Sequence, residues 1–208
     1  MKAARPSRTD APDRLLEATS QILAERDTVV VSIAEISERS GLNHGLVRYY
    51  FDGKEGLLLA LLKRDAEAAL HGFRLLVESD RPPLKKLEAH IRGIARVYFR
   101  YPYFNPLINY LQQSSDENAR FLGDVFVRPI LEYQDRLLAE AHQAGLIAKI
   151  DPRFFFFTLV GACDQVFKSR RILRSTYAIE ALDMQFVDQF AQFLIDTTLK
   201  GMRLDSDG

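Results

Sequence analysis

The segment from residue 32 to residue 55, SIAEISERSGLNHGLVRYYFDGKE, restricts the fold of this chain more than any other stretch. Ser32 and Glu35 form the S-x-x-E pattern of a capping box, which marks the start of a helix. Gly41 is suited to end that helix, and Asn43 is expected to cap a second short helix. Apolar side chains that would hold the two helices together face inward: Ile36, Leu42, Val47, Tyr50 and Phe51. The segment therefore predicts two short helices that cross at a tight turn.

The opposite face of the second helix is polar and compact. Gly45 would let the backbone approach DNA closely, while His44 and Arg48 can donate hydrogen bonds to base edges or phosphates. Tyr49 can offer its hydroxyl to a phosphate. Lys54 can contact a phosphate at the start of the next helix, where free N–H groups also attract anions. These residue types favour a helix-turn-helix whose second helix lies in the DNA major groove.

Strand signals are almost absent elsewhere, because alternation of apolar and polar residues never persists. No proline occurs between Pro12 and Pro82 or after Pro152, and the prolines fall where helix ends are expected. The sequence thus predicts an all-α fold of about nine helices. Outside the 32–55 segment, helices are expected over residues 10–26, 54–78, 84–100, 106–113, 116–144 with a bend at Pro129, 152–173 and 179–200.

Four regions follow from this pattern. Residues 1–9 are expected to be a flexible basic tail, and residues 10–53 a three-helix helix-turn-helix domain. Residues 54–203 are expected to form a second helical domain, followed by a flexible tail over residues 204–208.

Composition limits the possible classes of protein. Lysine plus arginine and aspartate plus glutamate number 28 each, so any DNA affinity must depend on a few well-placed cations. Cys163, the single cysteine, excludes an internal disulfide and is expected to be a small buried side chain. No stretch is long and apolar enough for a membrane span, and the start lacks a hydrophobic signal region, so a cytoplasmic protein without membrane contact is expected. No metal or cofactor is expected.

The 32–55 segment resembles the N-terminal domain of the TetR family of bacterial transcriptional regulators. The resemblance rests on eleven positions, namely Ile36, Gly41, Leu42, Asn43, Gly45, Val47, Tyr50, Phe51, Lys54, Glu55 and Leu57. It implies that six residues face DNA: Ser32, Asn43, His44, Leu46, Tyr49 and Lys54. Arg48 stands where the family usually has tyrosine, and an arginine there could pair with guanine or take over a phosphate contact.

An unusual concentration of aromatic residues follows the helix-turn-helix. Residues 98–167 hold nine of the 14 phenylalanines, which would build either a large core or an apolar pocket. The family resemblance implies an effector cavity in this region, with candidate lining residues Tyr98, Tyr101, Phe104, Phe121, Tyr133 and Phe157. Asp164 lies in the apolar run TLVGACDQVF and is expected to orient a ligand, to form an ion pair or to face solvent.

The last two predicted helices carry apolar side chains at helical spacing. Such a seam suits either the core of a monomer or a partner helix. The family resemblance implies that these helices pair with those of a second copy, and the candidate interface residues are Val160, Phe167, Phe186, Phe190 and Phe193. The second helix of the helix-turn-helix is called the reading helix below. A twofold dimer would place two reading helices on a palindromic operator.

The resemblance implies a repressor that a small apolar or aromatic effector releases from its operator. Two other classes remain open. An enzyme would have to use His71, His90, His142, Cys163 or Asp164, but these residues form no recognised ligand or triad spacing, and His90 and His142 are expected on the surface. A helical protein–protein adaptor is the second alternative. A non-enzymatic DNA-binding regulator is the preferred interpretation.

Overall fold

The computed structural model describes residues 10–26, 29–180 and 182–203. Within these ranges the chain is helical and contains no strand, so the all-α prediction is confirmed. The tails predicted over residues 1–9 and 204–208 lie outside the described residues. The helices are α1 (Asp10–Glu25), α2 (Ile33–Ser40), α3 (Gly45–Phe51), α4 (Lys54–Val77), α5 (Pro83–Arg100), α6 (Phe104–Ser114), α7 (Asp116–Leu122), α8 (Arg128–Gln143), α9 (Pro152–Lys168), α10 (Arg170–Tyr177) and α11 (Met184–Met202).

The helices group into two compact units. The first contains the described residues up to Glu67 together with Tyr101–Ala119, and the second contains Ala68–Arg100 and the described residues from Arg120 onward. This grouping differs from the division expected at residue 54, because the first half of α4 and all of α6 belong to the unit that carries the helix-turn-helix.

The core of the first unit is built mainly from branched aliphatic side chains. On α1, the predicted apolar face of Leu15, Leu16, Ile22 and Leu23 is buried as expected. The other helices of this unit contribute further buried residues, namely Ile36, Val47, Leu57, Leu58, Leu61, Leu62, Leu107 and Leu111. Burial of this apolar surface, rather than helix propensity alone, stabilises helices as short as α2 and α3.

The helix predicted over residues 116–144 is interrupted before Pro129 instead of bending there. A proline ring clashes with the carbonyl four residues earlier in a regular α-helix. Here the N–H of Arg128 donates to the carbonyl of Gly123, five residues earlier, within a π-helical segment (Gly123–Val127). The wider turn places Pro129 in the first turn of α8, where a missing N–H costs little.

The helix predicted over residues 152–173 is also divided, at Ser169. The N–H of Ser169 donates to the carbonyls of both Gln165 and Val166, and its hydroxyl accepts from the Gln165 side chain at 3.0 Å. An N–H shared between the carbonyls four and three residues earlier is common where a helix ends. The helix expected over residues 179–200 begins later than predicted, at Met184.

A polar pair is buried in the apolar core of the second unit. His90 is 5% exposed and Gln134 is fully buried, with 2.8 Å between their Nε2 atoms. The His90 ring stacks on Phe73 at 4.0 Å between centroids. Burial lowers the pKa of His90 to about 3, so its ring is neutral. The expected surface position of His90 is therefore wrong, whereas His142 is exposed as expected.

Candidate DNA-binding site and effector domain

The capping box predicted at the start of α2 is confirmed. The Ser32 hydroxyl accepts from the Glu35 N–H at 3.2 Å, and the Ser32 N–H donates to Glu35 Oε2 at 2.8 Å. Arg26 Nη1 donates to the other carboxylate oxygen of Glu35 at 2.6 Å. The Ser32 N–H, followed by Arg26, lowers the pKa of Glu35 to about 2. The α2 start is thus held to the end of α1 by a charged carboxylate.

Gly41 forms the turn between the two helices, as predicted. Its φ of +66° lies in the left-handed region that glycine adopts without steric cost. Its N–H donates to the carbonyls of Glu38 and Ser37, which closes the end of α2. Arg14 on α1 donates to the Ser40 carbonyl at 2.6 Å. The turn is therefore fixed by its own backbone and by α1.

The start of α3 corrects the expected helix bounds. The helix begins at Gly45, the N-cap position is His44, and the His44 side chain makes no capping bond. Asn43 still caps, because its Oδ1 accepts from the Gly45 N–H at 2.8 Å. A Cβ on Gly45 would lie 3.2 Å from that same oxygen. The small residue at position 45 therefore leaves room for the cap, a role that was not predicted from the sequence.

Most of the predicted DNA-facing residues are exposed to solvent. Six of the eight are exposed: Ser32, Asn43, His44, Gly45, Arg48 and Tyr49. Leu46 and Lys54 are half-buried, whereas Val47 on the inner side of α3 is fully buried. Among the described residues, His44 and Arg48 make no side-chain hydrogen bond or ion pair. Their donors are therefore available to an incoming partner; contact with DNA stays a prediction.

The turn between α3 and α4 requires a glycine that was not predicted from the sequence. Asp52 and Gly53 both have positive φ, at 56° and 111°, which reverses the chain. The reversal brings the Phe51 carbonyl oxygen to 1.8 Å from where a Cβ on Gly56 would stand. Only glycine fits there. In the sequence, Gly53 and Gly56 close to Asp52 were the signal from which this tight turn could have been predicted.

The start of α4 is also held from a distant part of the chain. The Ser114 hydroxyl and the Asn118 amide donate to Glu55 Oε1 at 2.9 and 2.8 Å. Asn118 also donates to the Ser114 hydroxyl at 2.9 Å, which joins the two donors. Lys54, the predicted phosphate contact, directly precedes this anchored glutamate. Sequence alone gave no sign of this contact, because its partners lie about sixty residues apart.

The predicted ligand-lining residues do not gather around one cavity. Tyr98 is buried and Tyr133 is half-buried, and both pack against phenylalanines of the second unit. Tyr101 and Phe104 stack on each other at 4.9 Å but belong to the first unit. Phe121 is half-buried, and Phe157 is 69% exposed.

Asp164 forms an ion pair, one of the alternatives that the sequence left open. Lys168, one helical turn further along α9, donates to its carboxylate at 2.5 Å. Gln134 also lies buried in the second unit, and its Oε1 accepts no hydrogen bond from the described residues.

A cleft of about 290 Å³ lies between α5 and α11. Charged and polar side chains dominate its walls, including Lys85, Glu88, Arg92 and Asp196. Arg92 also donates to Gln192 across the cleft. This cleft is not the aromatic cavity that the family resemblance implied.

The predicted dimer residues are split between the surface and the core. Phe193 is 62% exposed, and Val160, Phe186 and Phe190 are half-buried. Phe167 is 3% exposed and stacks on Tyr98 at 6.2 Å between centroids. Its expected place on an outer face is therefore wrong, because it belongs to the core of its own unit.

The burial of the single cysteine bears on the enzyme alternative. Cys163 is buried, and burial, with a smaller effect from Asp164, raises the pKa of its thiol to about 12. A protonated thiol is a poor nucleophile. Over the described ranges, no helix has the length and apolar character needed to cross a bilayer.

A capped first helix, a left-handed glycine turn and a second helix with an exposed polar face together define a helix-turn-helix DNA-binding protein. The profile described as "Bacterial regulatory proteins, tetR family" matches residues 15–61. The profile described as "Tetracyclin repressor-like, C-terminal domain" matches residues 80–207. The chain belongs to the TetR family of transcriptional regulators, as the sequence resemblance predicted.

Similar proteins agree with this assignment. The HTH-type transcriptional regulator BetI of Stenotrophomonas maltophilia is 30% identical over 175 residues, which cover 77% of this chain and 87% of that protein. The HTH-type transcriptional repressor NicS of Pseudomonas putida is 26% identical and covers 92% of each chain. The solved structure of AibR in complex with isovaleryl coenzyme A and operator DNA superposes with a TM-score of 0.68 at 18% identity, covering 90% of this chain and 97% of that one.

Proposed function

We propose that this chain is a repressor that binds a palindromic operator as a homodimer and is released by a small apolar or aromatic effector. The observation that carries the proposal is the exposed face of α3, where His44 and Arg48 have no partner among the described residues. Arginine is the residue best suited to pair with guanine in the major groove, because its planar fork matches two acceptors. The Arg48 guanidinium, which has no partner among the described residues, is therefore proposed as the main base-specific contact with DNA.

The reading helix is α3. One such helix supplies too few DNA contacts for specific binding by a chain of zero net charge. Dimerisation doubles the contacts and fixes the half-site spacing. The proposed interface is the outer side of α9 and α11. Phe157 on α9 and Phe193 on α11 are 69% and 62% exposed, and burying such side chains against a second copy would be strongly favourable.

The effector is proposed to enter the second unit near the buried pair of His90 and Gln134. Phe73, Tyr133 and Phe155 surround this pair with aromatic rings. The unpaired Gln134 Oε1 could accept one hydrogen bond from a ligand, and a buried amide atom without a partner is costly until it does so. AibR, whose fold is similar, binds isovaleryl coenzyme A as well as operator DNA, which supports a pairing of effector and DNA in this fold.

Fluorescence anisotropy with labelled DNA from upstream of the protein's own gene tests the DNA-binding proposal. The double variant His44→Ala with Arg48→Ala should lose about tenfold or more in affinity, because donors to DNA are removed. Arg136→Ala is the matched control, because it removes an exposed arginine from α8 and should bind like wild type. If wild type and the double variant bind with equal affinity, the proposed reading face is wrong.

A further inference from the structure

We infer that Tyr103 is a positioning residue for DNA binding, because its buried hydroxyl fixes α1 through Ser20. The inference rests on the proposed function, since it concerns how the reading helix is held for operator DNA. Tyr103 lies outside the helix-turn-helix, directly before α6, and is 2% exposed.

The Tyr103 hydroxyl joins three elements. It donates to Asp65 Oδ2 on α4 at 2.6 Å and lies 2.7 Å from the Ser20 hydroxyl on α1. A carboxylate can only accept, so the tyrosine proton is directed to Asp65. The phenolic oxygen must then accept from the Ser20 hydroxyl. The direction of both bonds is thereby fixed, from Ser20 to Tyr103 to Asp65.

The surroundings hold this chain of bonds rigidly. Burial, followed by the bond to Asp65, raises the pKa of Tyr103 well above its usual range, so the hydroxyl keeps its proton. Arg64 donates from Nε to the other oxygen of Asp65 at 2.8 Å. The Tyr103 ring packs edge-on against both Tyr101 and Phe104, each at 6.1 Å between centroids. The hydroxyl therefore presents one fixed acceptor to α1.

From α1 the connection continues to the reading helix. Arg14, nearly two turns before Ser20 on α1, donates to the Ser40 carbonyl at the end of α2. Arg39 on α2 forms two hydrogen bonds with Glu25 near the end of α1. A shift of α1 would therefore move the turn at Gly41 and, with it, the start of α3. Loss of the Ser20–Tyr103 bond should loosen the placement of the reading helix without altering any residue that faces DNA.

A double-mutant cycle on operator binding tests the inference. Tyr103→Phe and Ser20→Ala each remove one hydroxyl and should weaken operator affinity about three- to tenfold, as expected for one buried hydrogen bond. The double variant should have the same operator affinity as the weaker-binding of the two single variants, because both substitutions remove the same hydrogen bond. Ser20→Thr keeps a hydroxyl and should retain most of the affinity. Tyr177→Phe removes a hydroxyl from an exposed tyrosine of the second unit and is the matched control.

Affinities are measured well below each variant's melting temperature, with the folded fraction determined by circular dichroism. Equal affinity of folded wild type, Ser20→Ala and Tyr103→Phe would overturn the inference, and so would fully additive losses in the double variant. If Tyr103→Phe does not fold, the operator affinity of Ser20→Ala alone tests the inference. Failure of wild type to bind any operator would instead reject the proposed function.

Discussion

The Phe51 carbonyl oxygen occupies the space that a Cβ on Gly56 would need, only 1.8 Å from its ideal position. The oxygen belongs to the backbone at the end of the reading helix, so it cannot rotate away as a flexible side chain could. The connection between α3 and α4 therefore depends on glycine at position 56. The geometry ties the end of the reading helix to the first turn of α4.

Gly56→Ala should destabilise the protein by at least about 2 kcal/mol, because the added methyl group forces the α3–α4 turn apart. Gly72→Ala is the matched control in the same helix, because a Cβ there meets nothing within 4 Å. That control should be neutral or stabilising by up to about 1 kcal/mol. Urea denaturation gives both values. Equal stability of the two variants would contradict the packing at Gly56.

Asn43→Asp should separate the capping role of this side chain from its proposed role at DNA. Aspartate keeps an oxygen for the Gly45 N–H and suits the positive end of α3, so the melting temperature should change little. Its negative charge faces the proposed phosphate surface, so operator affinity should fall about tenfold or more. Asn43→Ala should instead lose about 1 kcal/mol of stability through the missing cap. Unchanged operator affinity in Asn43→Asp would place this residue away from DNA.

Phe193→Asp should convert the proposed dimer to a folded monomer. The side chain is 62% exposed in the single chain, so its replacement should not disturb the core but should put a charge into the apolar interface. Tyr177→Asp is the matched control, because Tyr177 is 67% exposed on α10. Light scattering coupled to size exclusion measures both masses. A dimer that persists in Phe193→Asp would locate the interface elsewhere.

The buried His90 should make stability depend on pH. Its pKa is about 3 in the folded chain, against 6.5 for the ordinary imidazole. Between these values the unfolded chain binds one more proton, so the free energy of unfolding should fall as pH decreases below 6.5, by at most about 1.4 kcal/mol per pH unit.

His90→Gln removes this titration and should show a shallower decrease between neutral and acidic pH than wild type. His71→Gln, at an exposed histidine, should follow the wild-type slope. Denaturant titrations at a series of pH values provide the comparison. Parallel curves for wild type and His90→Gln would show that His90 is accessible to protons in the folded chain.

Local signals in the sequence were sufficient to predict the helix-turn-helix. The Ser32–Glu35 capping box, the glycine turn at Gly41 and the inward positions of Ile36 and Val47 depend on residues within a few positions of each other. The interruption at Ser169 was not predicted, because a serine inside a periodic apolar pattern gives only a weak stop signal.

The contacts that position this segment could not be predicted in the same way. Ser20 and Tyr103 are 83 residues apart, and nothing in the local pattern of either residue indicates the other. The prediction that His90 lies on the surface was wrong for a related reason, because its partner Gln134 lies 44 residues away on α8. Polar residues on mostly apolar helices reveal their burial only when the packing of several helices is known.

Selection of binding sites from a random-sequence DNA library by the wild-type protein is the decisive test of sequence-specific DNA binding by this chain. We expect enrichment of an inverted repeat whose half-sites are separated by one or more helical turns. The Arg48→Ala variant should lose preference at one base position in each half-site. A well-folded wild-type protein that enriches no sequence would contradict the claim that this chain reads DNA.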